Sequence, residues 1–497
     1  MKKGILLDVL IFVLLFQVVH CASLRIGNSQ PQTITIPIDY PTIQAGIDHA
    51  QAESTIYVKN GIYVENLTIT KPLTVVGESL QGTVINATAN PIGIYVSAEF
   101  VTVENFTITS NNLNVLPTPF SGIVLERCRH CTIMSNFIVT WEYGIILRSS
   151  SENTISYNDM SSLYHVHGIE LHNSNDNAIF GNDAEHNDVC LIIDGGCRNF
   201  VSSNTLGLRV YASAVEILNS PNNVLIKNFI YGGVDGVVLE NSQYTSIWHN
   251  TIGSYGAFGG RNARVESSYN TSWDAGYPQG GNSWYGYNGT DAYQGTYQNE
   301  SGSDGIGDVP YVIDASNVDR YPLMQSPSMS SLDIGVADIT LCKQVFGRQT
   351  SANVTVRIAN FGVGDLSTNV TIWANSTILC LFTPSLPGKA VSDFAFVWNT
   401  TGLVNASFDI SARADSVQNE TDTTDNFLDY GTVQFSIPCD VDGDGVVDIF
   451  DAIILAGHFN LDSFSPNWNM NVDFNGDGIV DIYDAIILAS NYGTKLS

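Results

Sequence analysis

The sequence predicts a mainly β chain in three parts: a solenoid of stacked parallel strands, an antiparallel sandwich and a small helical end. Three observations predict it. A unit of 22 or 24 residues recurs six times from Gly122, with an Asn at one fixed place in each copy. Residues 332–437 break into strand-like runs separated by turn residues. Two copies of one acidic loop, each leading into an apolar run, stand 33 residues apart near the end.

Composition and the first residues frame these parts. At 497 residues the chain has room for three or four domains. Charged residues are 14%, against about 25% in an average globular protein, so amides, hydroxyls and rings must supply much of the polar surface. The formal net charge is −29 and the pI is about 4.3. That balance excludes a nucleic-acid partner and docking on anionic lipid, both of which need cations. It fits neutral sugars and bound cations. Lys2 and Lys3, the apolar run Val9 to Phe16 and small residues at Ala22 and Ser23 read as a secretory signal peptide over residues 1–22. An uncleaved anchor is the other reading. No later stretch reaches about 18 apolar residues, so no membrane span is expected in the mature chain. Twelve Asn-x-Ser/Thr sequons, six of them between Asn353 and Asn419, point to a secreted glycoprotein.

The repeat units begin at Gly122, Gly144, Gly168, Cys190, Ala214 and Gly236. One place after each start come Ile123, Ile145, Ile169, Leu191, Val215 and Val237. Two places further come Leu125, Leu147, Leu171, Ile193, Ile217 and Leu239. The fixed amides are Asn136, Asn158, Asn182, Asn204, Asn228 and Asn250. Alternating apolar positions mean short strands with one buried face. The period is too short for a βαβ unit and suits three strands and three turns, one coil per repeat. Asn at a fixed turn tolerates the left-handed conformation, and stacked coils would let the amides bond in a ladder.

The opening "PTIQAGIDHAQAESTIYVKNGIYVENLTITKPLTVVGE" and units such as "GIELHNSNDNAIFGN" resemble NosD-type right-handed parallel β-helix proteins of the pectin-lyase-like superfamily. The segment from Ser272 to Met324 is similar to the tail that closes such domains. The resemblance implies a β-helix with its cap over residues 23–325. It leaves activity open, because such folds host lyases, hydrolases, epimerases and binding proteins.

Chemistry is sought where charged side chains leave the coil on adjacent strands. Glu170 and Glu216 share one outward position, two coils or about 10 Å apart. Arg148, His172 and Asp194 share another. Glu142, His165, His167 and Asp188 lie just before the strands, with His186 nearby. The candidate catalytic residues are Glu170, His172, Asp194 and Glu216. The two carboxyls stand near the upper end of the separation used by inverting glycosidases. Three alternatives stand beside catalysis: a solvated face, a sugar-binding groove, and a transition-metal site on His165, His167, His172 and His186, since imidazole suits copper. The NosD resemblance implies copper delivery. The ring-rich tail, with Trp273, Trp284 and many Tyr, reads as a cap over the last coil or as a sugar-stacking platform. Asp304 and Asp308 offer a thin cation site.

The runs "ANVTVRIANFG", "NVTIWANST", "FAFVWNTTG" and "ASFDISARAD" read as an immunoglobulin-like sandwich domain over residues 326–438, which opens with a linker at 326–331. It resembles the CARDB adhesion-related module and is expected to act as a spacer or in adhesion. Cys342 and Cys380 could bridge its strands. Cys128 and Cys131 have CxxC spacing without a second pair, against zinc.

The acidic loops are "DVDGDGVVDIFD" and "DFNGDGIVDIYD". Calcium takes six to eight oxygens around a tight loop. The first loop offers Asp440, Asp442, Asp444, the Val446 carbonyl, Asp448 and Asp451. The second offers Asp473, Asn475, Asp477, the Ile479 carbonyl, Asp481 and Asp484. Asp at the twelfth position and the apolar helix after each loop resemble a type I dockerin, over residues 439–497. That implies calcium as cofactor and a cohesin-like partner. Ile449, Phe450, Ile482 and Tyr483 occupy places that are often small and polar in bacterial dockerins, so they are expected to pack on residues 332–437 or on an unfamiliar partner.

The sequence thus reads as a secreted, modular, cell-surface protein whose β-helix binds or processes polysaccharide and whose calcium-loaded end anchors it. The alternatives are a polysaccharide hydrolase or lyase using the patch, a structural or adhesion protein, and a copper-handling protein.

Overall fold

The computed structural model describes residues 31–495 apart from 88–90, 111–119, 140–141, 162–166, 186, 208–211, 257–258, 327–331, 342–344, 347–350, 363, 389–390, 402, 404–405, 419, 421, 424, 463–468, 470 and 477. The signal peptide, His165, His186, Cys342 and Asp477 therefore lie outside the described residues.

Residues 33–266 form a parallel β-helix. One face is a ten-stranded sheet running from Thr33–Ile36 to Ser246–Trp248, and a second is a nine-stranded sheet from Leu67–Ile69 to Ala263–Glu266. Two four-stranded sheets make up the third face. Helix α1, Ile43–His49, covers the first coil; the Thr42 hydroxyl caps it by accepting from the Ala45 amide. The register follows the repeat. Ile123, Ile145, Ile169, Leu191 and Val215 stand side by side, as do Ile133, Ile155, Ile179, Val201, Leu225 and Ile247. These columns are fully buried and fill the coil.

The six fixed amides form one ladder. Each Asn Nδ2 donates to the next Oδ1 at 2.9–3.1 Å, from Asn136 to Asn250, and the ladder runs one rung further to Asn282. Each Oδ1 also accepts the backbone N–H of the Asn before it, as Asn182 does from Asn158 at 3.0 Å. The left-handed residue of each turn is not the Asn. It is the residue before it: Ser135, Tyr157, Gly181, Ser203, Lys227 and His249, with φ between 52° and 64°. The Asn is kept for its amide, which satisfies buried backbone groups that no strand pairs. A second ladder, Asn153, Asn177, Asn199 and Asn223, lines another corner. Cys131 begins that ladder and Cys128 begins a neighbouring serine ladder, both buried, so the CxxC pair holds turn positions.

Past the last coil, Trp273 and Trp284 are buried against the open end, and Tyr311 stacks on Trp284 at 4.2 Å. Asp319 ties this closure to the ladder by accepting from the Asn282 amide at 2.7 Å and the Trp284 indole at 2.8 Å. Burial pushes the Asp319 carboxyl up to about 7. Asp304 and Asp308 accept from neighbouring backbone amides in the turns of this segment.

The sandwich pairs a three-stranded sheet, Ile334–Leu341, Ser351–Asn360 and Val391–Asn399, with a five-stranded sheet that includes Val370–Ala374, Ala406–Ala414 and Phe427–Phe435. It is not held off from the β-helix as a spacer would be. Phe200, Ile226 and Trp248, on the outer side of the ten-stranded face, form one buried cluster with Ala337, Ala359 and Phe361 of the sandwich. The last segment contributes α2, Ile449–Gly457, and α3, Ile482–Asn491, around a small core of Ile437, Val447, Leu455, Val472, Val480 and Leu488. Among the described residues no helix is long and apolar enough to cross a membrane.

Candidate functional site

Two places gather functional side chains. The first lies on the outer side of the nine-stranded face, on the strands Tyr143–Arg148, His167–His172, Val189–Asp194 and Val215–Leu218. Because the strands are parallel and in register, equivalent residues form columns. One column reads Ile146, Glu170, Ile192, Glu216, and the next reads Arg148, His172, Asp194. The first column is not a solvated stripe. Ile146 and Val238, which belong to it, are fully buried, and Glu170 is only 6% exposed.

Glu170 is held from both sides. His167 Nδ1 bonds Oε1, and His172 Nε2 bonds Oε2 at 3.0 Å. Burial would raise its carboxyl, but the two imidazoles outweigh burial and hold it at about 2. The same contacts raise both histidines above their ordinary value. Tyr143 meets the His167 ring edge-on at 5.4 Å, and burial raises its hydroxyl. Glu216, two coils along, moves the other way: burial raises its carboxyl, against the opposing pull of His167 and Arg264.

The structure therefore brings Glu170 and His172 together and adds His167 and Tyr143, which sit at the strand entrance. Asp194 pairs with His172 in register, but its Oδ1 accepts from Asn219 instead. The sequence could place Tyr143 and His167 in one column; their grip on Glu170 depends on side-chain directions that spacing does not state.

The second place is the pair of acidic loops. Asp440 Oδ1 accepts from the Gly443 amide at 2.8 Å and Oδ2 from the Gly445 amide at 2.7 Å. Asp473 repeats this with Gly476 at 2.8 Å and Gly478 at 2.9 Å. Gly443, Gly445, Gly476 and Gly478 all have φ between 75° and 87°, where a side chain is strained. Asp448 and Asp481 cap α2 and α3, each in a capping box with Asp451 or Asp484. Both box partners are fully buried. Carboxylate oxygens of Asp440, Asp442 and Asp444 lie within 4.8 Å of one another. This all-oxygen donor set suits a hard divalent cation. Val446 and Ile479 sit in short antiparallel bridges, to Lys495 and Asp462. Asp477 is outside the described residues.

The expected packing of the apolar pairs on the sandwich does not occur. Ile449, Phe450, Ile482 and Tyr483 are 53–62% exposed, and Ile453 and Ile486 one turn on are as open. The segment touches the sandwich on another side, where Gln434 donates to the Gly443 carbonyl at 2.7 Å and Ser436 to Asp440. The two helix faces are left free because the loops, not the helices, make that contact.

Comparison with known proteins gives two family matches. Residues 47–289 match the family described as periplasmic copper-binding protein (NosD), and residues 438–491 match the dockerin type I domain. Among curated proteins none matches the chain. Solved structures with similarity include the CARDB domain of a Pyrococcus furiosus protein in complex with di-metal ions, at 24% identity, covering 22% of this chain and 94% of that one, with a TM-score of 0.20. An alginate lyase from a Paenibacillus species is similar at 14% identity over 51% of this chain and 97% of that one, with a TM-score of 0.32. A mannuronan C-5 epimerase module from Azotobacter vinelandii is similar at 15% identity over 46% of this chain and 93% of that one, with a TM-score of 0.29.

Proposed function

We propose that this chain, which joins a NosD-type β-helix and a CARDB-like sandwich to a type I dockerin domain, is a secreted cell-surface protein that binds and cuts a polysaccharide on the nine-stranded face and is held to a protein partner by its C-terminal end. One observation carries the catalytic part. Two carboxyls on one face, two coils apart, are driven in opposite directions, Glu170 down and Glu216 up. Groups separated in this way divide acid and base duties. Glu216 gives its proton to the departing glycosidic oxygen. Glu170, ionised and oriented by His167 and His172, takes a proton from the water that attacks the opposite face of the sugar. Both carboxyls then exchange protons with solvent to reset.

Tyr143 against His167, with Arg148 on the same strand, favours a second reading, β-elimination on an acidic sugar, where Arg148 would neutralise the uronate. Incubation of the full-length protein with neutral and acidic polysaccharides distinguishes them. Reducing ends without an unsaturated product support hydrolysis, and an ultraviolet-absorbing unsaturated end supports elimination. No cleavage and no binding across the panel would leave a structural or adhesion role.

Copper fits poorly. The two described histidines grip opposite oxygens of one carboxylate, and among the described residues no close set of three ligating side chains includes them. Calcium fits the loops. Asp440, Asp442, Asp444, Asp448, Asp451 and the Val446 carbonyl would hold one ion. Asp473, Asn475, Asp477, Asp481, Asp484 and the Ile479 carbonyl would hold the other. Bound calcium supplies charge that keeps the acidic loops closed. The exposed pairs Ile449/Phe450 and Ile482/Tyr483 are the proposed contact with a cohesin-like partner.

A further inference from the structure

A third cluster of charge lies between the β-helix and the sandwich, far in sequence from both places above. Lys227 leaves the left-handed turn before the ladder residue Asn228, and its side chain is 6% exposed. Its ammonium lies 2.7 Å from Asp333 Oδ2, 2.6 Å from Asp425 Oδ2 and 3.1 Å from Asp422 Oδ2. It also sits 4.4 Å from the centre of the Phe361 ring. All three carboxylates belong to the sandwich, at its first strand and in the turn before its last. Oxygens of the three lie within 4.8 Å of one another. Asp333 and Asp425 are each about 1% exposed, yet Oδ1 of each is buried without a hydrogen-bond donor. Such oxygens are costly unless a cation stands among them.

We propose that the carboxylate cup of Asp333, Asp422 and Asp425 is a cation site of the sandwich that this chain fills with its own Lys227, which thereby pins the sandwich to the β-helix; with the ammonium gone, the cup takes a calcium ion. The charge count favours this. Burial raises the Asp333 and Asp425 carboxyls against the opposing pull of Lys227, and a divalent ion in place of the ammonium would bring twice the positive charge to hold them ionised. Hard oxygens in a compact set are the donors calcium uses. Lys227 stays charged because the three carboxylates outweigh its burial. The hydrophobic contact of Phe200, Ile226 and Trp248 with Phe361 gives the joint its area, and the cup fixes its position.

The test uses the full-length chain carrying Lys227→Met, with small-angle scattering in chelator and in calcium. Circular dichroism confirms that the variant is folded. Wild type should stay compact in both, apart from any change at the C-terminal loops. Lys227→Met should open in chelator, because removing one partner of a buried pair weakens docking roughly a hundredfold or more. It should close again in calcium and bind one more calcium per chain than wild type in equilibrium dialysis. Lys227→Met with Asp425→Asn should stay open in calcium and lose the extra ion. Should Lys227→Met fail to fold, Asp333→Asn with Asp425→Asn approaches the same joint from the other side and should open irrespective of calcium. Compact variants in chelator, or an opened Lys227→Met chain that neither recloses nor takes up the extra ion, would overturn the proposal.

Discussion

Glu170 and Glu216 leave the β-helix in one column with Ile192 between them, and their carboxyls are pushed apart, Glu170 to about 2 and Glu216 above its ordinary 4.5. The difference comes from their neighbours. Glu170 has an imidazole on each oxygen, whereas Glu216 has burial with weaker charge support.

Cleavage should therefore run on the acid side. Glu216 works only while protonated and Glu170 only while ionised. Rate should hold above about pH 2 and fall as pH rises through the raised Glu216 value. Glu216→Gln should lower kcat by about a hundredfold or more, the usual worth of a positioned acid. A pH–rate profile on a substrate found in the panel checks both, and an unaltered profile in Glu216→Gln would remove that residue from the chemistry.

Glu170→Gln should also cost stability, because Glu170 is a structural partner as well as a candidate base. The histidines, raised above 6.5, stabilise the fold below that pH and lose the effect as pH rises through their folded values. Glu170, lowered to about 2, stabilises above pH 4.5 and loses the effect as pH falls through about 2. Protection of the amides of residues 167–172 should thus peak between pH 4.5 and 6.5 after correction for intrinsic exchange. Glu170→Gln should flatten the peak. Both imidazoles are over a third exposed, so the change should be modest.

The Asn ladder should be unforgiving. Asn182 donates to Ile155, Phe180 and Asn204 and accepts twice from Asn158. Asn182→Ala strands several buried groups at once, at about 2–4 kcal/mol. Asn182→Asp should do no better, because it lacks the amide donor. Hydrogen exchange in the neighbouring coils is the measurement, since a chain of several domains does not melt in two states. Equal exchange in wild type and both variants would show the ladder to be dispensable.

The period, the buried columns and the Asn positions were legible in the sequence because a solenoid repeats one environment on every coil. Asn136 through Asn250 recur in step for that reason. Asn282 does not, since 32 residues separate it from Asn250. A fixed Asn suggests the left-handed turn residue, but the left-handed φ falls on Lys227 and its equivalents, while the adjacent Asn supplies hydrogen bonds. The joint between Lys227 and Asp333 was invisible for a different reason. Nothing local marks a lone lysine in one domain as the partner of three aspartates 106 or more residues away. The Glu170 patch was half legible. Columns follow from register, but which imidazole turns towards which carboxylate depends on rotamers and burial.

The C-terminal loops give the sharpest expectation. No Lys or Arg lies between Arg413 and Lys495, while 15 acidic residues do, so these carboxylates lack Lys or Arg neighbours in that stretch to neutralise them. Two calcium ions should bind, one per loop, and chelator should reduce the helicity contributed by α2 and α3. Asp451 is buried, accepts from the Val441 amide at 2.6 Å and the Asp448 amide at 2.8 Å, and closes the first loop on α2. Asp451→Asn should lower uptake of the full-length chain by one ion and leave the second loop loaded. Phe450→Ser with Tyr483→Ser should leave uptake at the wild-type number, because these side chains are exposed and touch neither loop core. The same pair should abolish capture by a cohesin-like partner, since large exposed apolar groups on two helices are what a partner would cover. Isothermal titration with calcium separates the outcomes. If Asp451→Asn binds as many ions as wild type, the first loop is not a calcium site, and if the serine pair loses ions, the exposed faces support the loops instead of a partner.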